Sequence, residues 1–261
     1  MLARHDLGRH IYALSAIFLG SIGLWWRDFA GIWQPLDNLG DFDRSVVATG
    51  YALVFLVAGV ATFWRASAGF GLLTLAVLHF LAALGWIPRV IAHGAWTGFF
   101  EMLSLTIAGV VGFARLRPLR VWASQTIQIG RIAFSICLLV FGLSHFFFSA
   151  ETAQMVPVWL PPGQMFWAYA SGGIYVLAGI AIAVDFRGAL AAQLTVAMII
   201  LIGALVWVPM LIAKPENFTW SGNAITFAIA AATWVIGDAI TATRTPNSRT
   251  GARLAISKEA F

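Results

Sequence analysis

Residues 68–87 read AGFGLLTLAVLHFLAALGWI, a run without one charged side chain, closed by Pro88 and Arg89. At ~1.5 Å per residue a helix of this length covers the ~30 Å hydrocarbon core of a bilayer, and in lipid only helices or closed barrels satisfy their own backbone. Barrel strands alternate over short segments, so this run is a transmembrane helix. Seven further apolar segments accompany it, at 11–26, 46–64, 96–114, 126–148, 164–184, 188–212 and 221–242. The expected fold is therefore all-α: a polytopic transmembrane helical bundle of eight spans.

Composition agrees. Of 261 residues 60% are hydrophobic and 10% charged, with a mean hydropathy of +0.85, whereas a soluble domain carries about 25% charge. The single cysteine, Cys137, excludes a disulfide-built secreted domain, and the apolar excess excludes a soluble nucleic-acid binder despite a net charge of +5. Residues 1–26 have the basic start and apolar core of a signal peptide. Trp25 and Trp26 stand where a cleavage site needs small residues, so the segment is read as a retained helix whose Arg9 snorkels from its end.

Loop charges orient the chain. The first end, the even-to-odd loops and the last segment share one side and carry Arg4, Arg9, Arg65, Arg115, Arg117, Arg120, Arg131, Arg187, Arg244, Arg249, Arg253 and Lys258; the other side has Arg27, Arg44, Arg89 and Lys214. Basic loops follow the inner face, so a multi-pass protein of the cell inner membrane with both termini cytoplasmic is expected. The outer side is acidic and holds nine of the twelve tryptophans, as in an interfacial aromatic belt or an aromatic-lined vestibule. Inner basic residues meet anionic membrane lipids, which explains the high pI without a nucleic-acid partner. Residues 244–261, rich in Ser, Thr and Arg, read as a cytoplasmic tail.

The halves echo one another at an offset of about 122 residues. Gly8-Arg9 matches Gly130-Arg131, Gly20 matches Gly142, Ala48-Thr49-Gly50 matches Ala170-Ser171-Gly172, and, one position shifted, Trp86-Ile87-Pro88 matches Trp207-Val208-Pro209. Two four-helix repeats are expected, residues 1–122 and 123–243, and an even number of spans in each makes them parallel in the membrane. Gly20, Gly23, Gly50, Gly59, Gly109, Gly112, Gly172, Gly173 and Gly179 are read as sites of close helix packing.

Chemistry must come from polar groups that are costly to place in lipid. Glu101 lies about six residues from the outer end of its span and His79 about eight from that of its own, so the two share a depth and a hydrogen bond between them is geometrically open. His145 precedes an aromatic collar and the proline-stiffened loop MVPVWLPPG, whose Trp159 would sit at the interface and cap a cavity. Asn223 occupies the position equivalent to Glu101, and Gly23 that of His145, which favours one asymmetric site. The expected pocket comprises His79, Glu101, His145, Trp159 and Asn223. A structural hydrogen bond is the competing reading for Glu101 and His79. No catalytic residue is assigned. No metal motif, CxxC, CxxCH, HExxH or phosphate loop occurs, and nothing in the spacing of His79 and His145 demands haem.

Residues 130–184 resemble the DoxX-like family of small four-helix membrane proteins. The resemblance is carried by Gly130-Arg131, Gly142 with His145, Met155-Val156-Pro157, Trp159-Leu160-Pro161 and Gly172. It singles out Arg131, Gly142, His145, Pro157, Pro161 and Gly172, and eight spans instead of four imply a fused pair. It also implies a membrane component of a redox or quinone-linked system, with quinone as the cofactor and other membrane redox subunits as partners. The alternative is a non-catalytic scaffold or a carrier of lipid or a small solute.

Overall fold

The computed structural model describes residues 7–29 and 41–244. Ten helices follow in order: α1 (Leu7–Trp26), α2 (Asp41–Phe63), α3 (Ala68–His93), α4 (Trp96–Arg115), α5 (Val121–Phe147), the short α6 (Ser149–Met155), α7 (Gln164–Ala183), α8 (Gly188–Ile202), α9 (Val208–Ala213) and α10 (Asn217–Arg244). A π-helical turn, Gly203–Trp207, joins α8 to α9 as one continuous span. Among the described residues eight helical segments are long and apolar enough to cross a membrane. The chain is an all-α polytopic membrane protein. The proposed tail and the loop residues 30–40 lie outside the described residues.

Helix limits run past the apolar runs. α3 continues through Pro88 to His93. Proline forfeits one N–H bond there, a loss that transmembrane helices tolerate because neighbouring groups re-satisfy the backbone. The helix ends at Gly94, whose φ of 64° is open to glycine at no steric cost and lets its N–H bond back to the Arg89 and Val90 carbonyls.

Helix neighbours define the bundle. α1 packs on α2 and α10, α3 on α2 and α4, α5 on α4 and α7, and α8 on α7 and α10; α4 and α10 meet at the centre. α10 is the hub, since 72% of its apolar window is buried against 28% for the span of α8 and α9. Its small side chains, Ala224, Ala228, Ala231, Ala232 and Ala239, let helices approach from several sides. α1 likewise buries Tyr12, Ala13, Ala16 and Leu19.

Glycines set the closest approaches. A Cβ on Gly20 would lie 2.8 Å from the Ala52 carbonyl oxygen and 2.9 Å from Leu56, and one on Gly59 would meet Ile17 and the Ala13 carbonyl. Between α5 and α7, Gly142 faces Val176 and the Gly172 carbonyl, and Gly179 faces Leu139 and the Ser135 carbonyl. Gly50 and Gly173, expected in such contacts, face open space. Trp86 and Trp207 correct the belt reading differently: their rings press on Gly98 and Gly222, so they pack helices together within the bundle.

Arg9 does not snorkel. It is buried, and its guanidinium donates to the Thr62 carbonyl at 2.6 Å and the Phe63 carbonyl at 3.3 Å, serving carbonyls that the end of α2 leaves without helical partners. Arg131 serves the corresponding end of α7 by pairing with Asp185 at 3.3 Å. Asp238 in α10 pairs with Arg115 at 3.6 Å and accepts the Gly8 N–H.

Gly142→Ala is expected to destabilise the purified protein by about 1–3 kcal/mol, because the added methyl meets backbone that cannot yield. Gly50→Ala, with no neighbour to strike, should be neutral or slightly stabilising. Thermal unfolding of the two variants in one detergent, read by circular dichroism, checks the contrast.

Candidate functional site

A cavity of about 390 Å³ opens among α4, α5, α7, α8 and α10. Its walls are mostly apolar: Phe141 from α5, Ile174 from α7, Met198, Ile199 and Ile202 from α8, Leu205 and Val206 from the π turn, and Ile225 and Ile229 from α10. The size falls within the roughly 300–1,000 Å³ of small-molecule sites. The π turn accommodates one residue more than an α-helix would and carries Leu205, Val206 and Trp207 to the wall.

Helix contacts position the polar side chains. Gly172 sits where a Cβ would lie 2.9 Å from the His145 Cβ, so the lack of a side chain there lets α5 and α7 close on the histidine. The imidazole Nδ1 donates to the Phe141 carbonyl at 2.8 Å, and the ring packs on Tyr175 with centroids 5.3 Å apart. Glu101 reaches the same cavity from α4 and is within electrostatic reach of Tyr175. Among the described residues no hydrogen bond or ion pair engages the Glu101 carboxyl, the His145 Nε2 or the Tyr175 hydroxyl. These three polar groups thus line a mostly apolar space without internal partners.

One end of the cavity is closed by α6 and the loop after it. Thr152, Met155, Val156, Pro157 and Leu160 line it, while Val158 and Trp159 point outward, 84% and 67% exposed. Gln164 donates to the Val156 carbonyl and the Trp167 indole N–H to that of Pro161, so α7 ties the loop down at both ends. Along the side, Ile174 and Leu201 line the cavity and are also 40% and 58% exposed on the bundle's flank. That flank, between α7 and α8, is apolar and faces where lipid would be.

Of the five residues expected to form the pocket, Glu101 and His145 line it; His79, Trp159 and Asn223 do not. His79 is 1% exposed in a separate cluster, where Nδ1 donates to the Leu75 carbonyl, its ring meets Phe55 edge-on, and Tyr12, whose hydroxyl donates to the Leu105 carbonyl, stands beside it. His79 and Glu101 are not neighbours: Tyr12, within 3.3 Å of His79, donates to the Leu105 carbonyl, about one helical turn further along α4 than Glu101. Asn223 is buried in α10 while its neighbours Gly222, Ile225 and Thr226 face the cavity. Tyr175 was not among the expected residues, and its only sequence signal is a hydroxylated aromatic three residues after Gly172. Among the family-motif positions, Pro157 lines the cavity, Pro161 accepts from Trp167, Gly142 and Gly172 close the helix pair, and Arg131 works at its far end. No cluster of three metal-ligating side chains occurs among the described residues.

A family model described as a domain of unknown function (DUF8561) matches residues 134–228, a segment that holds every lining residue of the cavity except Thr97, Glu101 and Ile229. That description does not name the DoxX-like family. No curated protein and no solved structure matches the chain.

Proposed function

We propose that the cavity binds a small amphiphile of the bilayer, a quinone-type ring with oxygen substituents, and that the protein is a membrane component of a redox or quinone-linked system. The observation that carries this reading is the convergence of Glu101, His145 and Tyr175, all without internal partners, on an apolar cavity whose side wall reaches the bundle's lipid-facing flank. The DoxX-like motifs overlap the matched segment and supply the quinone expectation. The residues fit such a ring. Glu101 and Tyr175 approach from α4 and α7 and His145 from α5, so ring oxygens can be held from more than one side while Phe141, Ile199 and Ile225 exclude water. A bound quinone would supply the capacity to carry electrons and protons together. The protein's own part is to hold and orient the ring; other membrane redox subunits are the proposed partners.

In lipid nanodiscs, a decyl-tailed benzoquinone offered in both redox states is expected to bind saturably in at least one. Glu101→Ala and Tyr175→Phe should each weaken that binding about tenfold, the cost of roughly one buried hydrogen bond. Equilibrium dialysis checks this, and a lack of saturable binding in either state would sink the reading. Saturable binding without electron transfer to any co-purifying subunit would move the protein to the alternative, a scaffold or a carrier of lipid or a small solute.

We further infer a chain of two parallel four-helix units, residues 1–122 and 123–243, with 244–261 as a cytoplasmic tail. Supporting it, the α1–α2 contacts of Gly20 and Gly59 recur between α5 and α7 at Gly142 and Gly179, and Trp86 on Gly98 recurs as Trp207 on Gly222. α1 against α10 is likewise mirrored by α5 against α4. These pairs imply an offset of 122 between α1 and α5 but 120 between α2 and α7, aligning Leu56-Val57-Ala58-Gly59 with Val176-Leu177-Ala178-Gly179. The extra residue of the π turn then brings the offset to 121 at Trp207. Both termini are placed on the cytoplasmic side by loop charge. A fluorescent protein fused after Phe261 should therefore be bright in cells, and alkaline phosphatase inserted after Gly163 active; the reverse pattern overturns the orientation.

A further inference from the structure

The hydrogen-bonding polarity of the cavity selects among its ligands. In His145, Nδ1 lies 2.8 Å from the Phe141 carbonyl oxygen, four residues back on the same helix. A carbonyl only accepts, so Nδ1 carries the proton, and the neutral ring then offers Nε2 as a bare lone pair. A tilted contact with the Tyr175 ring and the close approach of Gly172 hold the imidazole in place, and Nε2 has no partner among the described residues.

Donors around it are already committed. The hydroxyls of Thr152, Ser171 and Thr226 donate to the carbonyls of Phe148, Trp167 and Gly222, each one turn back. Ser144 donates to the Val140 carbonyl, which leaves Thr97 to donate to Ser144, and the Trp167 N–H is taken by Pro161. No Lys or Arg lines the cavity. What remains uncommitted is Nε2 and the lone pairs of those hydroxyls as acceptors, the Glu101 carboxyl, which accepts and when protonated also donates, and the Tyr175 hydroxyl and Trp207 indole as donors.

We infer that the cavity selects an amphiphile bearing a hydroxyl group, donated to Nε2 of His145, and hence the hydroquinone form of a ring over its quinone or ether forms. This rests on reading the cavity as an amphiphile site. A carbonyl or methyl ether placed at Nε2 would set two acceptors against each other and leave the nitrogen desolvated without a partner.

Three probes sharing one tail test it: decylhydroquinone, decylbenzoquinone and the dimethyl ether of the hydroquinone, bound under anaerobic conditions to the full chain in nanodiscs. Decylhydroquinone is expected to bind about tenfold more tightly than either other probe. His145→Phe should reduce that ratio to within about twofold, and His145→Gln, whose amide oxygen accepts, should restore part of it. Equal affinity for the three probes, or preference for the quinone, overturns the inference while the amphiphile site stands; so does a preference that survives in folded His145→Phe. Failure of all three to bind removes the site itself. If His145→Phe does not fold, the three-probe comparison on the unaltered protein decides alone.

Discussion

The close approach of α5 and α7 at Gly142, Gly172 and Gly179 is the contact on which the site depends. Between helices in lipid the hydrophobic drive is weak, because hydrocarbon tails are as apolar as leucine, and association relies on backbones coming close enough for dense van der Waals contact. Where a Cβ would strike a carbonyl 2.7 Å away, only glycine allows that distance. The same closeness fixes His145 against Tyr175, and the cavity lies beside the pair, walled on its other sides by α8 and α10. Structure and site are thus set by one choice of small residues.

Charge is distributed by the same economy. Arg9, Arg115, Arg131, Asp185 and Asp238 all work near one end of the bundle, on helix-terminal carbonyls or on one another. There a guanidinium satisfies carbonyls that the end of a helix leaves unpaired, so burying it stabilises two helices at once. Glu101 has no such role. A carboxyl within a span that neither caps a helix nor pairs with an arginine is costly, and its setting is a cavity in which polar partners can be brought by something else.

The spans were legible because apolar length is a one-dimensional property. Their ends were less so: α5 begins at Val121 and α10 at Asn217, several residues before their apolar runs, since Ser124, Gln125 and Thr219 are polar yet compatible with a helix at the interface. Which residues share a site was legible only in part. Counting residues from a helix end gives depth only where that end is known, and α3 runs on to His93, so His79 lies further from the helix end than a count from Ile87 implies. Such a count does not give azimuth. His79 turns toward Tyr12 and Phe55, whereas Glu101 turns to α5 and α7, and that rotation is fixed by which glycines meet which carbonyls.

Azimuth also explains why one cavity of this kind is to be expected from a chain read as two similar units. At the places that correspond to His145 and Tyr175 in the contact-based register stand Gly23 and Phe55. Gly23 packs against Ala52, and Phe55 is fully buried against His79, so the space at those positions is filled by packing and neither carries a hydrogen-bonding side chain. Under the proposed two-unit division Glu101 falls within residues 1–122 yet reaches a cavity lined mainly by later residues, because α4 packs on α5. Residues 123–243 alone would lack that carboxyl, so the packing of α4 on α5 is a condition of the site.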